Sequence, residues 1–214
     1  GGGGSSSTSS LDSTAIANMI AGAGGGGCDI KFPDGLDGDI VNIDLLQGNY
    51  TVPNGKILYI VTIYSNSNNS NPILEDDGIG MIHGRVNSPG GSTIFNPFIF
   101  ESGSNLTGLA TFYGVLINNS GIIPISHLLC DGSSIGVVDY VVPNGKSLYI
   151  TQSYGGLNIN NNQFGEDLNM QGGNSYQSNS LGQVIKVNSG EIVNWSSNFA
   201  SFNGYLADEN YFAG

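Results

Sequence analysis

Tyr50-Thr-Val-Pro-Asn-Gly-Lys-Ile-Leu-Tyr-Ile60 recurs as Tyr140-Val-Val-Pro-Asn-Gly-Lys-Ser-Leu-Tyr-Ile150, changed only at its second and eighth positions. Each copy is followed by a Ser-Gly pair, Ser102-Gly103 and Ser189-Gly190, and then by Phe-x-Gly-x-Leu, Phe112 to Leu116 and Phe202 to Leu206. Three landmarks in one order, repeated about 90 residues apart, predict two tandem copies of one fold. Within each copy, Pro-Asn-Gly-Lys separates two runs rich in β-branched and aromatic residues, so the unit reads strand, tight turn, strand. Pro at the first central position supplies a fixed φ, and Asn and Gly after it tolerate positive φ.

Working outward, Ile94 to Phe100, Ala110 to Ile117, Val184 to Val187 and Phe202 to Leu206 read as further strands between Asn, Gly and Ser clusters. No helix-length periodic segment interrupts either copy, which excludes alternating α/β topologies. The expectation is all-β: two tandem antiparallel β-sandwiches of jelly-roll type, about 7 to 8 strands each. The first copy is placed at 28–124 and the second at 125–214. The segments Asn66 to Asp77, His83 to Ser92 and Gly155 to Leu181 read as long polar loops, the positions where recognition is usually placed.

Residues 1–27 differ from the rest. The first ten are Gly, Ser and Thr only, a flexible tether. Residues 11–21 are the one convincing helix, capped by Asp12 or Ser13 and halted by Gly22 and Gly24 to Gly27. Leu11, Ile16, Met19 and Ile20 line its narrow apolar stripe. Three turns are too short to persist alone in water, so the stripe must pack on its own domain or on the same helix of other subunits. Tethers on both sides favour the second, and with it a homo-oligomer, either a trimer or a filament. The chain begins without Met, which reads as a processed product or the ordered portion of something longer.

Composition narrows the function classes. Of 214 residues, 39% are hydrophobic, ample for packed cores, whereas 10% are charged against the usual ~25%. A surface of amides and hydroxyls suits assemblies and extracellular settings. Five Lys and Arg against seventeen Asp and Glu leave a net charge of -12. That balance disfavours nucleic acid, whose phosphates need a cationic track, and an anionic membrane surface. No stretch approaches the ~20 apolar residues of a membrane span. Cys28 and Cys130 do not have metal-pair spacing; they are read as two buried thiols, with a bridge across the seam or between subunits as the alternative.

Asp34, Asp37 and Asp39, in the alternating Asp-Gly run from Asp34, are the best candidate calcium ligands. Hard cations want several oxygens, and Asp-Gly turns aim carboxylates inward. A pair of turns on a solvated surface accounts for the same residues. Glu75-Asp76-Asp77 is a weaker acidic cluster, with Glu166-Asp167 near the corresponding place of the second copy. Tyr154, Phe164, Tyr176 and Trp195 are candidates for a glycan-stacking platform, set against the commoner fate of a lone Trp in a core. His83 and His127 have no ligand or triad partners at useful spacing. Lys56 and Lys146 read as turn residues making cross-strand charge contacts. No catalytic set stands out, so the expectation is a non-enzymatic structural or adhesive module, with a carbohydrate-binding module, calcium-assisted, as the alternative.

The string Tyr-x-Val-Pro-x-Gly-Lys-x-Leu-Tyr-Ile, followed by the Ser-Gly loop and Phe-x-Gly-x-Leu, resembles small β-sandwich domains in surface and tail-fibre-like proteins of Bacteroidetes and their phages. Phe-Pro-Asp-Gly-Leu-Asp-Gly, Phe32 to Gly38, is similar to the segment that leads into those domains. The resemblance covers most of residues 28–214. It implies an extracellular, cell-surface or virion-surface adhesin or fibre module, often oligomeric, with a Gly/Ser tract here in place of the collagen-like stalk. No catalytic residues carry over, because the recurring positions are turn and core.

Overall fold

The computed structural model describes residues 38–64, 73–83, 92–119, 121–131, 138–164, 178–179, 184–195 and 199–212. The proposed helix with its stripe Leu11, Ile16, Met19 and Ile20, together with Cys28, Asp34, Asp37 and Tyr176, therefore lies outside the described residues. What is described is β-structure with a single 3-10 turn, Leu45–Gln47, begun by the Asp44 carboxylate accepting from Leu46 N–H.

The first repeat contributes β1 (Asp39–Asp44), β2 (Tyr50–Thr51), β3 (Lys56–Tyr64), β4 (Ile73–Asp76), β5 (Ile79–His83), β6 (Ser92–Phe100), β7 (Asn105–Gly108) and β8 (Thr111–Asn118). The second contributes β9 (Ile123–Asp131), β10 (Tyr140–Val141), β11 (Lys146–Tyr154), β12 (Leu157–Ile159), β13 (Asn162–Phe164), β14 (Ser178–Asn179), β15 (Ile185–Val187), β16 (Ile192–Trp195) and β17 (Phe199–Asp208). Every described strand pairs within its own repeat, and every pairing is antiparallel. The first repeat forms sheets β1-β8-β3-β6 and β2-β7-β4-β5; the second forms β9-β17-β11-β14, with β15 also on β11, and β10-β16-β12-β13. These orders are the two four-stranded sheets of a jelly roll, with β14 and β15 together taking the part of β6.

Each sandwich has its own core. Leu58, Ile60, Phe100 and Phe112 of one sheet meet Leu74, Met81 and Leu106 of the other. In the second repeat, Leu148, Ile150, Val187 and Phe202 meet Leu157, Ile159 and Val193. Buried Cys130 belongs to that second core.

The repeated motif has a mechanical explanation. Lys56 N–H bonds Pro53 O at 3.1 Å and Lys146 N–H bonds Pro143 O at 3.1 Å, so the central pair of each turn is Asn-Gly. Pro precedes the central pair rather than opening it, as the sequence suggests. The positive φ falls on Gly55 (73°) and Gly145 (76°), as a type II turn requires. The Ser-Gly landmark locks this turn: Ser102 Oγ accepts from Gly55 N–H at 3.1 Å, and Ser189 Oγ accepts from Gly145 N–H at 3.2 Å. Gly103 and Gly190 then donate to Val52 O and Val142 O, each at 2.9 Å. Lys56 meets Asp39 at 3.3 Å and Lys146 meets Asp208 at 2.7 Å, exposed cross-strand pairs of small energetic weight.

Phe-x-Gly-x-Leu answers to a bulge. β3 carries an extra residue between Ile60 and Thr62, and β11 between Ile150 and Gln152, each opposite β8 or β17 at the motif's glycine. A Cβ on Gly114 would lie 2.7 Å from Tyr59 O, and one on Gly204 would lie 2.1 Å from Tyr149 O. Neither carbonyl can retreat without breaking its strand.

Two hairpins run into segments read as loops: β4 falls in Asn66 to Asp77, and β12 with β13 in Gly155 to Leu181. β4 and β5 are joined by Asp77-Gly78 with φ 48° and 82°, and β12 and β13 by Asn160-Asn161 with φ 49° and 67°. Positive φ at both central residues is the type I′ geometry that matches strand twist. The short strands lack an apolar run, so only the turn pairs announced them.

Replacing Gly204 by Ala should destabilise the protein by about 2 kcal/mol or more through backbone overlap. Ser189→Ala should cost about 1 kcal/mol, one hydrogen bond. Urea unfolding of both variants checks the ranking.

Candidate functional site

The two sandwiches do not meet as mirror partners. The outermost strands of the first repeat, β5 and β6, pack on β9, β11 and β17, the outer face of the second repeat's larger sheet. An edge strand presents backbone N–H and C=O groups with no ladder partner, and burying them bare is costly. Side chains of the second repeat supply the missing partners. Asn203 Oδ1 accepts from Ile99 N–H at 2.6 Å, and Asn203 Nδ2 donates to Ile99 O at 2.8 Å, as a neighbouring strand would. Gln152 Nε2 donates to Asn96 O, and Ser201 Oγ donates to Gly80 O at 2.5 Å. Asn203 is held in turn by Ser126 Oγ at 3.2 Å, and its carbonyl accepts from Thr151 Oγ1 at 3.2 Å.

A cavity of about 100 Å³ opens on this seam. The first repeat lines it with Asp76, Asp77, Glu101 and Ser104, the second with Ser126, and Ile79, Ile99, Pro124 and Ile125 form apolar walls. Asp76, at the end of β4, is only 6% exposed. Burial raises its carboxyl pKa; hydrogen bonds from Ser126 and Ser104 lower it, and the Asp77 and Glu101 charges raise it further. Among the described residues, Asp76 Oδ1 has no hydrogen-bond partner. Because the folded pKa lies above the unfolded value, the folded state holds the proton more tightly. Asp76 therefore withdraws stability as pH climbs from the unfolded pKa through the folded one.

The buried carboxylate has no counterpart in the second repeat. Asp76 pairs with Leu106 on β7, and the equivalent pair in the second repeat is Ile159 with Val193. Where the second repeat buries Ile159 in its core, the first places a carboxylate. The place corresponding to Glu75-Asp76-Asp77 is thus Asn158-Ile159-Asn160, which corrects the pairing with Glu166-Asp167. The signal was the matched hairpin turns, Asp77-Gly78 and Asn160-Asn161, which bring the repeats into register.

The other candidates are dispersed. Asp39, on β1, is exposed and paired with Lys56. Trp195 is half-buried against the second core, in register with Leu157, whose other neighbour is Phe164 on β13. Tyr154 is buried and lies in the other sheet, on β11. Trp195 and Phe164 thus share a row that Tyr154 does not join. Among the described residues, no three His, Cys, Asp or Glu side chains converge as a ready-made metal cage.

His83 ends β5, and His127 sits on β9. The His127 ring packs 5.0 Å from Tyr140 and 5.6 Å from Phe202. Its buried Nε2 has no hydrogen-bond partner among the described residues. Burial lowers its pKa, against a raising hydrogen bond with the Val138 backbone. Ile43 holds the equivalent place beside Phe112 in the first repeat.

No protein-family model matches the chain. No curated protein matches it either. Among solved structures it is similar to a conserved protein of unknown function from Pseudomonas aeruginosa PAO1, at 10% identity and a TM-score of 0.28, over 79% of this chain and 80% of that one. A likeness so slight bears on neither the fold nor the function.

Asn203→Ala should leave Ile99 N–H and C=O bare and cost about 2 kcal/mol or more in denaturant unfolding. Tyr113→Ala, at the matching exposed position, should cost far less. His127→Ile should remove a pH dependence. A neutral, half-buried His contributes stability that is full above its unfolded pKa and is lost as pH falls through the depressed folded one. Melting temperature against pH, from 8 to 5, should therefore fall less in the variant.

Proposed function

We propose that this chain is a non-enzymatic structural and adhesive module, a subunit that assembles head to tail into a fibre, filament or surface oligomer on a cell or virion exterior. One observation carries the reading. On the second repeat's outer face the row Ser126, Asn203, Gln152 is polar and covered by the first repeat's edge. The equivalent row of the first repeat is Asn42, Tyr113, Thr62, and it faces outward with Tyr113 39% exposed and Ile40 nearby 83% exposed. The polar row is covered together with Tyr149, Tyr154 and Tyr205, whereas the first repeat's face, buried at Ile57, Tyr59, Val115 and Ile117, stays open at the end that carries Ile40 and Tyr113. Exposed large apolar groups beside a surface otherwise rich in amides are informative in a way that scattered ones are not.

The contact between the repeats is heterologous, an edge on a face, and such contacts propagate into rings or filaments when repeated between molecules. Its complement is the first repeat's face together with the second repeat's edge, where β13 pairs on one side only among the described residues. A second copy of the chain is therefore the occupant to which this face is fitted. The stripe Leu11, Ile16, Met19 and Ile20 offers a second, tethered contact between subunits. The low charge and the resemblance to surface-fibre domains support the extracellular setting.

Light scattering of the full chain should show a defined oligomer or a polymer that grows with concentration. Ile40→Lys with Tyr113→Glu should shift it to smaller species without unfolding it. A wild-type chain that stays monomeric at high concentration overturns the reading. So does an assembly indifferent both to these substitutions and to removal of residues 1–27.

A further inference from the structure

The seam cavity joins groups that repel one another. Asp76, Asp77 and Glu101 bring carboxylates to one small space, and the charges acting on Asp76 are both of its own sign. Of the described lysines, Lys56 and Lys146 are engaged with Asp39 and Asp208, and Lys186 lies on β15, opposite Tyr149. A buried carboxylate oxygen without a donor is costly, and the second repeat shows that an apolar side chain fits this backbone position. The polar side chains of the lining offer oxygen only: three carboxylates from the first repeat, with hydroxyls from Ser104 and Ser126.

We propose that the cavity between the repeats binds a calcium ion, held by the bare Asp76 Oδ1 with Asp77, Glu101 and the Ser104 and Ser126 hydroxyls around it. Calcium accepts about 6–8 oxygens in loose geometry, water included, whereas magnesium demands a tight octahedron and dehydrates reluctantly. The carboxylates are not gathered into a closed cage, so the ion keeps part of its water, which a cavity of about 100 Å³ can hold. Affinity then belongs to the weak end for calcium, a Kd of ~0.1–1 mM, which matches extracellular modules. Four of the ligand-bearing residues come from the first repeat and Ser126 from the second, so the ion ties the two sandwiches together where they meet. It is distinct from the Asp34–Asp39 run, whose Asp39 is occupied by Lys56.

The test is thermal unfolding of the full chain after EDTA treatment, with CaCl2 or MgCl2 added at about ten times the expected Kd, beside calorimetric titration of CaCl2. Calcium should raise Tm by about 2–5 °C, and magnesium should do less. Asp76→Asn should fold, gain stability in EDTA and lose at least tenfold in calcium affinity. Glu101→Gln, an exposed substitution that leaves the β4 position intact, should weaken binding by a smaller factor. Asp34→Asn with Asp39→Asn should keep the response. A calcium shift that survives Asp76→Asn places the ion elsewhere and overturns the proposal. So does a wild-type protein whose stability follows pH but not calcium, since a proton would then be the natural occupant of Oδ1.

Discussion

An exposed strand edge can be left to solvent, paired with another strand, or capped by side chains. In this protein β6 is capped, and the cap is the carboxamide of Asn203, which both accepts from and donates to Ile99 across the seam. A peptide group of a neighbouring strand would do the same. The consequence reaches through the second repeat, whose larger sheet must carry polar side chains on a buried face. Gln152, Ser201 and Asn203 are all buried there. A sandwich whose outer face buries Gln152, Ser201 and Asn203 beside tyrosines is stable only with its particular partner in place. Side-chain hydrogen bonds to an edge backbone thus help to bind the two repeats into one unit.

The duplicated motif serves a different end. It makes each sandwich correctly on its own: turn, serine lock, bulge and the glycine that lets two strands close over the bulge. These requirements are backbone requirements, so the residues that meet them recur unchanged. Positions between them are free of that constraint, and there the repeats diverge. Asn203 stands where the first repeat has Tyr113, and Gln152 where it has Thr62. The divergence is directional, because it equips one face to receive an edge and leaves the other with Ile40 and Tyr113 outward.

The same asymmetry produces the acidic seam. A core position filled by Ile159 in one repeat becomes Asp76 in the other, at the point where the second repeat's Ser126 arrives. Interfaces between domains concentrate ligand sites, since each side can bring groups that neither could bury alone.

The chain by itself determined the all-β class, the duplication and the position of the strand-turn-strand unit. These rest on local rules: positive φ at Gly55, close approach at Gly204 and alternation within strands, each of which leaves a recurring residue. The hairpins at Asp77-Gly78 and Asn160-Asn161 were legible only as turn pairs, because strands of three to five residues are too short for a period. The acidic run at Asp34 drew attention by density, whereas Asp76 drew little, since burial and a missing partner are properties of the surroundings. Only the tertiary structure decided which edge meets which face, that Asn203 is a strand substitute, and that Asp76, Glu101 and Ser126 share one cavity. Those relations join residues 25 to 121 positions apart, and no local pattern of residue types encodes the docking of one sandwich on another.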